Sequence, residues 1–230
     1  MRDMIVVESK EQLRKLINQR IIEQGSDCDL NDIDVSKVTD MSYMFANSEF
    51  DGDISKWDVS NVKNMSHMFA WSQFNGDISH WDVSDVKDMS YMFCFSKFTD
   101  DLRLWSVGNV RDMRAMFYGS KFNGDISTWD VSSVRDMGCM FAYSEFDRII
   151  SQWDVHNVAD MSYMFYRSKF NTDISTWDVS SVRDMSYMFM DSWFDGDISE
   201  WDMSNVEYKM YMFYTSTPDS TVHPKLDTLI

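Results

Sequence analysis

Asp173–Phe189 reads DISTWDVSSVRDMSYMF, and Asp125–Phe141 reads DISTWDVSSVRDMGCMF. Near-copies of this sentence recur along the chain. Trp57, Trp81, Trp105, Trp129, Trp153, Trp177 and Trp201 stand 24 residues apart without a slip. Phe45 to Phe213 and Ser48 to Ser216 keep the same step in their own columns. So many columns repeating together without an insertion are the mark of a repeat architecture, in which each unit buries its apolar face against the next.

Within one unit, Asp53 to Asp77, the apolar residues are Ile54, Trp57, Val59, Val62, Met65, Met68, Phe69 and Phe74. Ile54 to Val59 is β-branched and aromatic, with a two-residue alternation at Trp57 and Val59, which suits a short strand. Val62, Met65, Met68 and Phe69 step by three and then by one, which suits a helical turn. The pattern predicts an α/β repeat solenoid of 24-residue coils, each with one short parallel strand and one short helical turn. Trp and Val would point inward.

The order FNGDIS.WDVS.V.DMS.MF..S.F resembles the BspA-like leucine-rich repeats, a bacterial surface-protein 26-residue-repeat family with Mycoplasma-type and Listeria-type members. Ile78, Trp81, Val83, Val86, Met89 and Phe93 fit its apolar order, and the resemblance runs from about Asp29 to Phe213. It implies a right-handed, leucine-rich-repeat-like solenoid used for adhesion or protein contact. It implies no catalytic residue.

The ends depart from the repeat. Ser9 followed by Gln12 is a capping box, Gly25 a stop, and Leu13, Leu16, Ile17 and Ile21 an apolar stripe, which predicts a helix after a leading strand at Met4–Glu8. Residues 1–28 read as an N-terminal cap, 29–213 as the repeats and 214–230 as a C-terminal cap or tail. The chain is 44% hydrophobic, enough for a continuous core, and its 20 methionines fall mostly in repeat columns, so they read as packing. Cys28, Cys94 and Cys139 are odd in number and match neither a metal site nor a disulfide framework. No apolar run is long enough to span a membrane and no leader is evident, so the reading is a cytoplasmic protein, or a surface or secreted one if a leader was removed.

No phosphate loop, metal-binding helix or nucleophile motif is present, and His67, His80 and His156 occupy different columns. The chain therefore reads as a non-enzyme without cofactor or metal. Asp58, Asp82, Asp130, Asp154, Asp178 and Asp202 form one acidic column; if Trp57 and Val59 point inward, these point out from the sheet face. Asp40, Asn64, Asp88, Asp112, Asp136, Asp160 and Asp184 form another, read as helix caps. A third, at Asp53, Asp77, Asp101, Asp125, Asp173 and Asp197, reads as turn chemistry. The copies disagree most just after the closing Phe, where Trp71, Phe95, Tyr118, Tyr143, Tyr166 and Trp193 make a variable aromatic edge. Rings on a turn are either lids on the core or anchors for a partner.

Together these features point to a protein-binding solenoid with an acidic sheet face and a variable aromatic edge. With a net charge of −17, direct nucleic-acid binding is disfavoured, and so is membrane insertion. The alternatives are an acidic DNA mimic that blocks a basic DNA-binding protein, and a surface adhesin or carbohydrate-binding module.

Overall fold

A computed structural model describes residues 4–216. Its regular elements are β1 (Ile5–Val6), α1 (Lys10–Gln24) and β2 (Ile33–Asp34). β1 pairs with β2 in parallel, Ile5 opposite Ile33 and Val6 opposite Asp34. From Val35 to Ser216 the backbone is turns and irregular segments joined by isolated parallel bridges. This corrects the fold read from the sequence. The α/β, leucine-rich-repeat-like solenoid with a strand and a helical turn in each coil is not present, and the leucine-rich and BspA-like labels do not describe this backbone.

The strand fails because acidic side chains bend the chain at both of its ends. Asp53 Oδ1 accepts the N–H of Ser55 at 2.9 Å, and Asp58 Oδ1 accepts that of Ser60 at 3.1 Å. Each is an Asx turn, a local bond that competes with regular structure. Between and beyond them Trp57 N–H closes on Ile54 O and Val62 N–H on Val59 O, so turn follows turn.

The helix fails for a different reason. Every second N–H group is bonded across units, and those between close three-residue turns, as Met68 N–H does on Met65 O and Ala70 N–H on His67 O. Met65, His67, Phe69 and Trp71 donate to the carbonyls of Asp88, Ser90, Met92 and Cys94 at 2.8–2.9 Å. His67 and Trp71 have φ of +57° and +58°, outside any right-handed helix. The column read as helix caps closes turns instead; Asp88 Oδ1 takes the N–H of Ser90 at 2.8 Å. Bridges link Asp40, Asn64, Asp88, Asp112, Asp136, Asp160, Asp184 and Tyr208 in succession, so each 24-residue unit is one hydrogen-bonded layer on the next.

Apolar columns fill the space between these turns. The seven tryptophans of the 24-residue column are buried, and each indole Nε1–H donates to a backbone carbonyl 27 residues earlier at 3.0–3.2 Å, as Trp129 does to Leu102. Phe45, Phe69, Phe93, Phe117, Phe141, Phe165, Phe189 and Phe213 stack ring on ring with centroids 5.2–5.8 Å apart. A second Phe column is held by serine, as where Ser96 Oγ accepts the N–H of Phe98 at 3.1 Å.

α1 covers the first layer with Leu13 and Ile17 buried. Ser9 Oγ accepts the N–H of Gln12, and Gly25, at φ +99°, closes the helix by donating to Ile21 O. Of the C-terminal segment read as 214–230, the part beyond Ser216 lies outside the described residues.

Candidate functional site

The acidic column stands on no sheet. Asp58, Asp82, Asp130, Asp154, Asp178 and Asp202 are exposed, and each Oδ1 accepts the N–H two residues on at 3.0–3.3 Å. Hydrogen bonds from the Ser84, Ser132 and Ser180 side chains, then backbones, hold Asp82, Asp130 and Asp178 below the usual carboxylate range. These carboxylates close turns. The protein-binding solenoid with an acidic sheet face is thus overturned, and the DNA-mimic and adhesin readings of the same solenoid go with it.

The variable edge has a definite geometry. In each layer a turn such as Phe93–Ser96, closed by Ser96 N–H to Phe93 O at 3.1 Å, puts its third residue in the left-handed region. A turn with φ > 0 at that position normally calls for Gly or Asn. Here it holds Asn47, Trp71, Phe95, Gly119, Tyr143, Arg167, Asp191 and Thr215, with φ between +51° and +63°. Strain of about 1–2 kcal/mol per residue is tolerated because the ladder fixes the same groups. Trp71 N–H, for instance, donates to Cys94 O at 2.8 Å and Phe95 N–H to Tyr118 O at 2.7 Å.

The rings on this edge touch in sequence. Trp71 stacks on Phe95 at 4.1 Å between centroids, and Phe95 meets Tyr118 edge-on at 5.2 Å. Tyr118 meets Tyr143 at 5.5 Å, and Tyr143 meets Tyr166 at 5.1 Å. Phe95 reaches across because Gly119 has no side chain; a Cβ there would lie 2.4 Å from the ring. Arg167 places its guanidinium 5.6 Å from the Tyr143 ring centre and 5.4 Å from that of Tyr166, and its Nε donates to Asp191 at 2.9 Å. Trp71 (55%), Phe95 (40%), Tyr143 (41%) and Trp193 (62%) remain exposed, while Tyr118 and Tyr166 are half-buried. Five of the six ring positions read from the sequence, Trp71, Phe95, Tyr118, Tyr143 and Tyr166, therefore form a continuous row, while Trp193 is exposed in a later layer.

A second left-handed column lies four residues earlier, and the sequence reading passed over it. Tyr43, His67 and Tyr91 stack at 4.3 and 4.5 Å, and Tyr163 stacks on Tyr187 at 4.5 Å. Between the two stacks come Ala115 and Cys139. There Arg114 replaces the usual serine, donates from Nε to Asp136 at 2.9 Å and also bonds Asp160. Gly138 makes room for it, since a Cβ there would sit 3.1 Å from the guanidinium. The signal was available in the sequence as two edits one period apart, Arg114 and Gly138, in a column otherwise mostly serine.

Burial raises the pKa of Asp112 and Asp136, although the backbone N–H groups of Arg114 and Gly138 and the Arg114 charge lower it. A carboxylate with a raised folded pKa favours the fold at low pH, and that contribution is lost as pH rises through the folded value. Asp82, Asp130 and Asp178 have lowered values and act in the opposite sense: their contribution is present above the unfolded value and disappears as pH falls through the folded one. Asp112→Asn keeps the acceptor for Arg114 N–H, as Asn64 does for Ser66, and removes a buried charge. We expect it to raise the melting temperature by a few degrees at pH 7 and to have no such effect at pH 3. A drop at pH 7 would show that the charge itself is needed.

Among the described residues no group of His, Cys, Asp and Glu could hold a metal ion, and no helix is long and apolar enough to cross a membrane. Compared with known proteins, three overlapping stretches, 14–121, 94–189 and 142–221, match a family model described as "Mycoplasma protein of unknown function, DUF285". The overlap marks the chain as repetitive. No curated protein and no solved structure matches.

Proposed function

Since the chain belongs to the family described as Mycoplasma protein of unknown function, DUF285, and that description assigns no activity, we propose from the site itself that it is a non-catalytic protein that binds a protein partner at its ring-bearing turn edge. The observation that carries this reading is the row from Trp71 to Tyr166, whose backbone is held both by its turns and by bonds to the next layer. Rings held in place before contact lose little entropy on binding, which favours them as anchors.

Charge supports the same edge. Its variable columns carry Lys97, Lys121, Arg167 and Lys169 against Glu49, Glu145 and Asp191, while the whole chain carries −17. These columns are close to neutral in an otherwise strongly acidic chain. The Listeria-type side of the sequence resemblance rests on the apolar order of the repeat alone and has no part in this reading.

The test is site-specific photocrosslinking in cells of the native host, with benzoylphenylalanine placed in turn at Trp71, Tyr143 and Trp193 and at Asp130 as a control. The same adduct should form from the three edge positions and not from the control. With the adduct identified, Phe95→Ala combined with Tyr143→Ala should weaken binding at least about tenfold. Equal adducts from Asp130, or unchanged affinity in the double variant, would overturn the reading.

A further inference from the structure

A column of side-chain acceptors follows the second Phe column by one residue. Asp51, Asn75, Asn123, Asp147 and Asn171 each use Oδ1 to accept the backbone N–H of the residue 24 positions on, at 2.7–3.1 Å. Asparagine and aspartate serve interchangeably there, since the bond needs only an oxygen. Two of the three asparagines, Asn75 and Asn123, are followed by glycine; the third, Asn171, is followed by Thr172. Among the described residues no group accepts the N–H of Gly76 or Gly124. Asn75 is exposed and Asn123 half-buried, so water reaches both. Asn75 Oδ1 takes the N–H of Thr99 at 2.7 Å and its hydroxyl at 3.3 Å. Donors held on that oxygen polarise the side-chain carbonyl and stabilise the oxyanion that forms when Cγ is attacked. Asn123 Oδ1 has one such donor, Asp147 N–H at 3.1 Å.

We propose that Asn75 and Asn123 are self-modification sites, each converted to an acidic residue by the nitrogen of the glycine that follows it. Solvent base removes the glycine N–H proton. The nitrogen bonds to Cγ, the C–N bond of the side-chain amide breaks, and the leaving group takes a proton from water to become ammonia. One water then opens the five-membered succinimide. Breaking the new bond to Cγ gives aspartate; breaking the original backbone bond gives isoaspartate. Glycine lets the peptide plane turn its nitrogen onto Cγ, a rotation that β-branched Thr172 resists. The column also decides which product the fold accepts. Aspartate makes the bond that Asp51 and Asp147 already make, so the layers close as before with one more negative charge. Isoaspartate adds one atom to the backbone and breaks the register of bonds to the next layer.

Ageing of the full chain at about pH 8 and 37 °C, followed by peptide mapping with mass spectrometry, tests this. Asn75 should convert first and Asn123 next, with Asn171 slower than either by at least about tenfold. Gly124→Ala, whose Cβ meets only the Phe122 ring, should slow Asn123 and leave Asn75 unchanged. Thr99→Val keeps the N–H and removes the hydroxyl, so it should slow Asn75 and not Asn123. Asn75→Asp, the product itself, should melt within about 3 °C of the parent; a larger drop would overturn the claim that the column accepts it. The proposal fails if both asparagines stay intact in the folded chain while the free peptide 119–128 converts under the same conditions, because the layers would then hold Cγ away from the nitrogen. It fails equally if Asn171 converts as fast as Asn75, since the following glycine would then not be the cause.

Discussion

Trp129→Ala should lower the stability of the chain by about 3–5 kcal/mol, the range for deleting a large buried side chain. For a chain of this size the melting temperature should fall by about 10 °C or more. The indole is buried, packs against Phe117 with centroids 6.4 Å apart and gives its Nε1–H to Leu102 O at 3.0 Å. The substitution therefore opens a cavity and removes a bond between layers at once. Trp129→Phe separates the two effects. It keeps a ring in the space, and Leu102 O still accepts the N–H of Trp105, so the loss should be only about 1 kcal/mol. Calorimetry of the two variants decides the matter: a shift under about 2 °C for the alanine variant would mean that the tryptophan column does not hold the layers together.

Gly52→Ala should be nearly as damaging, although it adds one methyl group. A Cβ at Gly52 would lie 2.0 Å from the backbone oxygen of Cys28, 2.8 Å from the Phe50 ring and 3.0 Å from the carbonyl carbon of Asp27. The two segments are pinned together by Asp51 N–H to Ser26 O and Asp53 N–H to Cys28 O, so the backbone cannot give locally. We expect a cost of about 3 kcal/mol, the upper end for overpacking. Gly124, the same column in a later layer, meets only the ring of Phe122, and that column elsewhere accepts Asp100, Arg148 and Thr172. Gly124→Ala should therefore cost less than about 1 kcal/mol. Equal losses in chemical denaturation would mean that the close approach to Cys28 is relieved elsewhere.

These two sites also mark what was legible in the sequence. The period and the buried columns could be read because Trp, Phe, Val and Met recur at fixed places and nothing else could hold them in register. The start of α1 was written in Ser9 and Gln12. Local conformation was not legible. A two-residue alternation over six residues fits a strand and equally a pair of Asx turns, and only the partner of each N–H separates them. The left-handed residues gave almost no warning, because Trp71, Phe95, Tyr143 and Arg167 occupy positions where Gly or Asn is the ordinary signal. Bonds to the neighbouring layer impose that conformation, and a single unit read alone does not contain them. At the edge, the ring positions could be listed from the repeat, but their contact in a row depended on Gly119 letting Phe95 lie across it. The acidic column was misplaced for the same reason as the strand: Asp58 to Asp202 needed a sheet to stand on.

The hydrogen bonds between layers lie along the length of the stack, and this decides how the molecule answers to force. Pulled by its two ends, it loads those bonds as a zipper is loaded, one layer at a time, without shearing them together. Rupture should begin at the end of the stack away from α1, whose helix ties down the first layer through Lys10 and Arg14, and pass toward it. Each event should release the 24 residues of one repeat, a gain in length of about 80 Å at about 3.5 Å per residue less one layer spacing. A force–extension trace should be an even sawtooth with that interval.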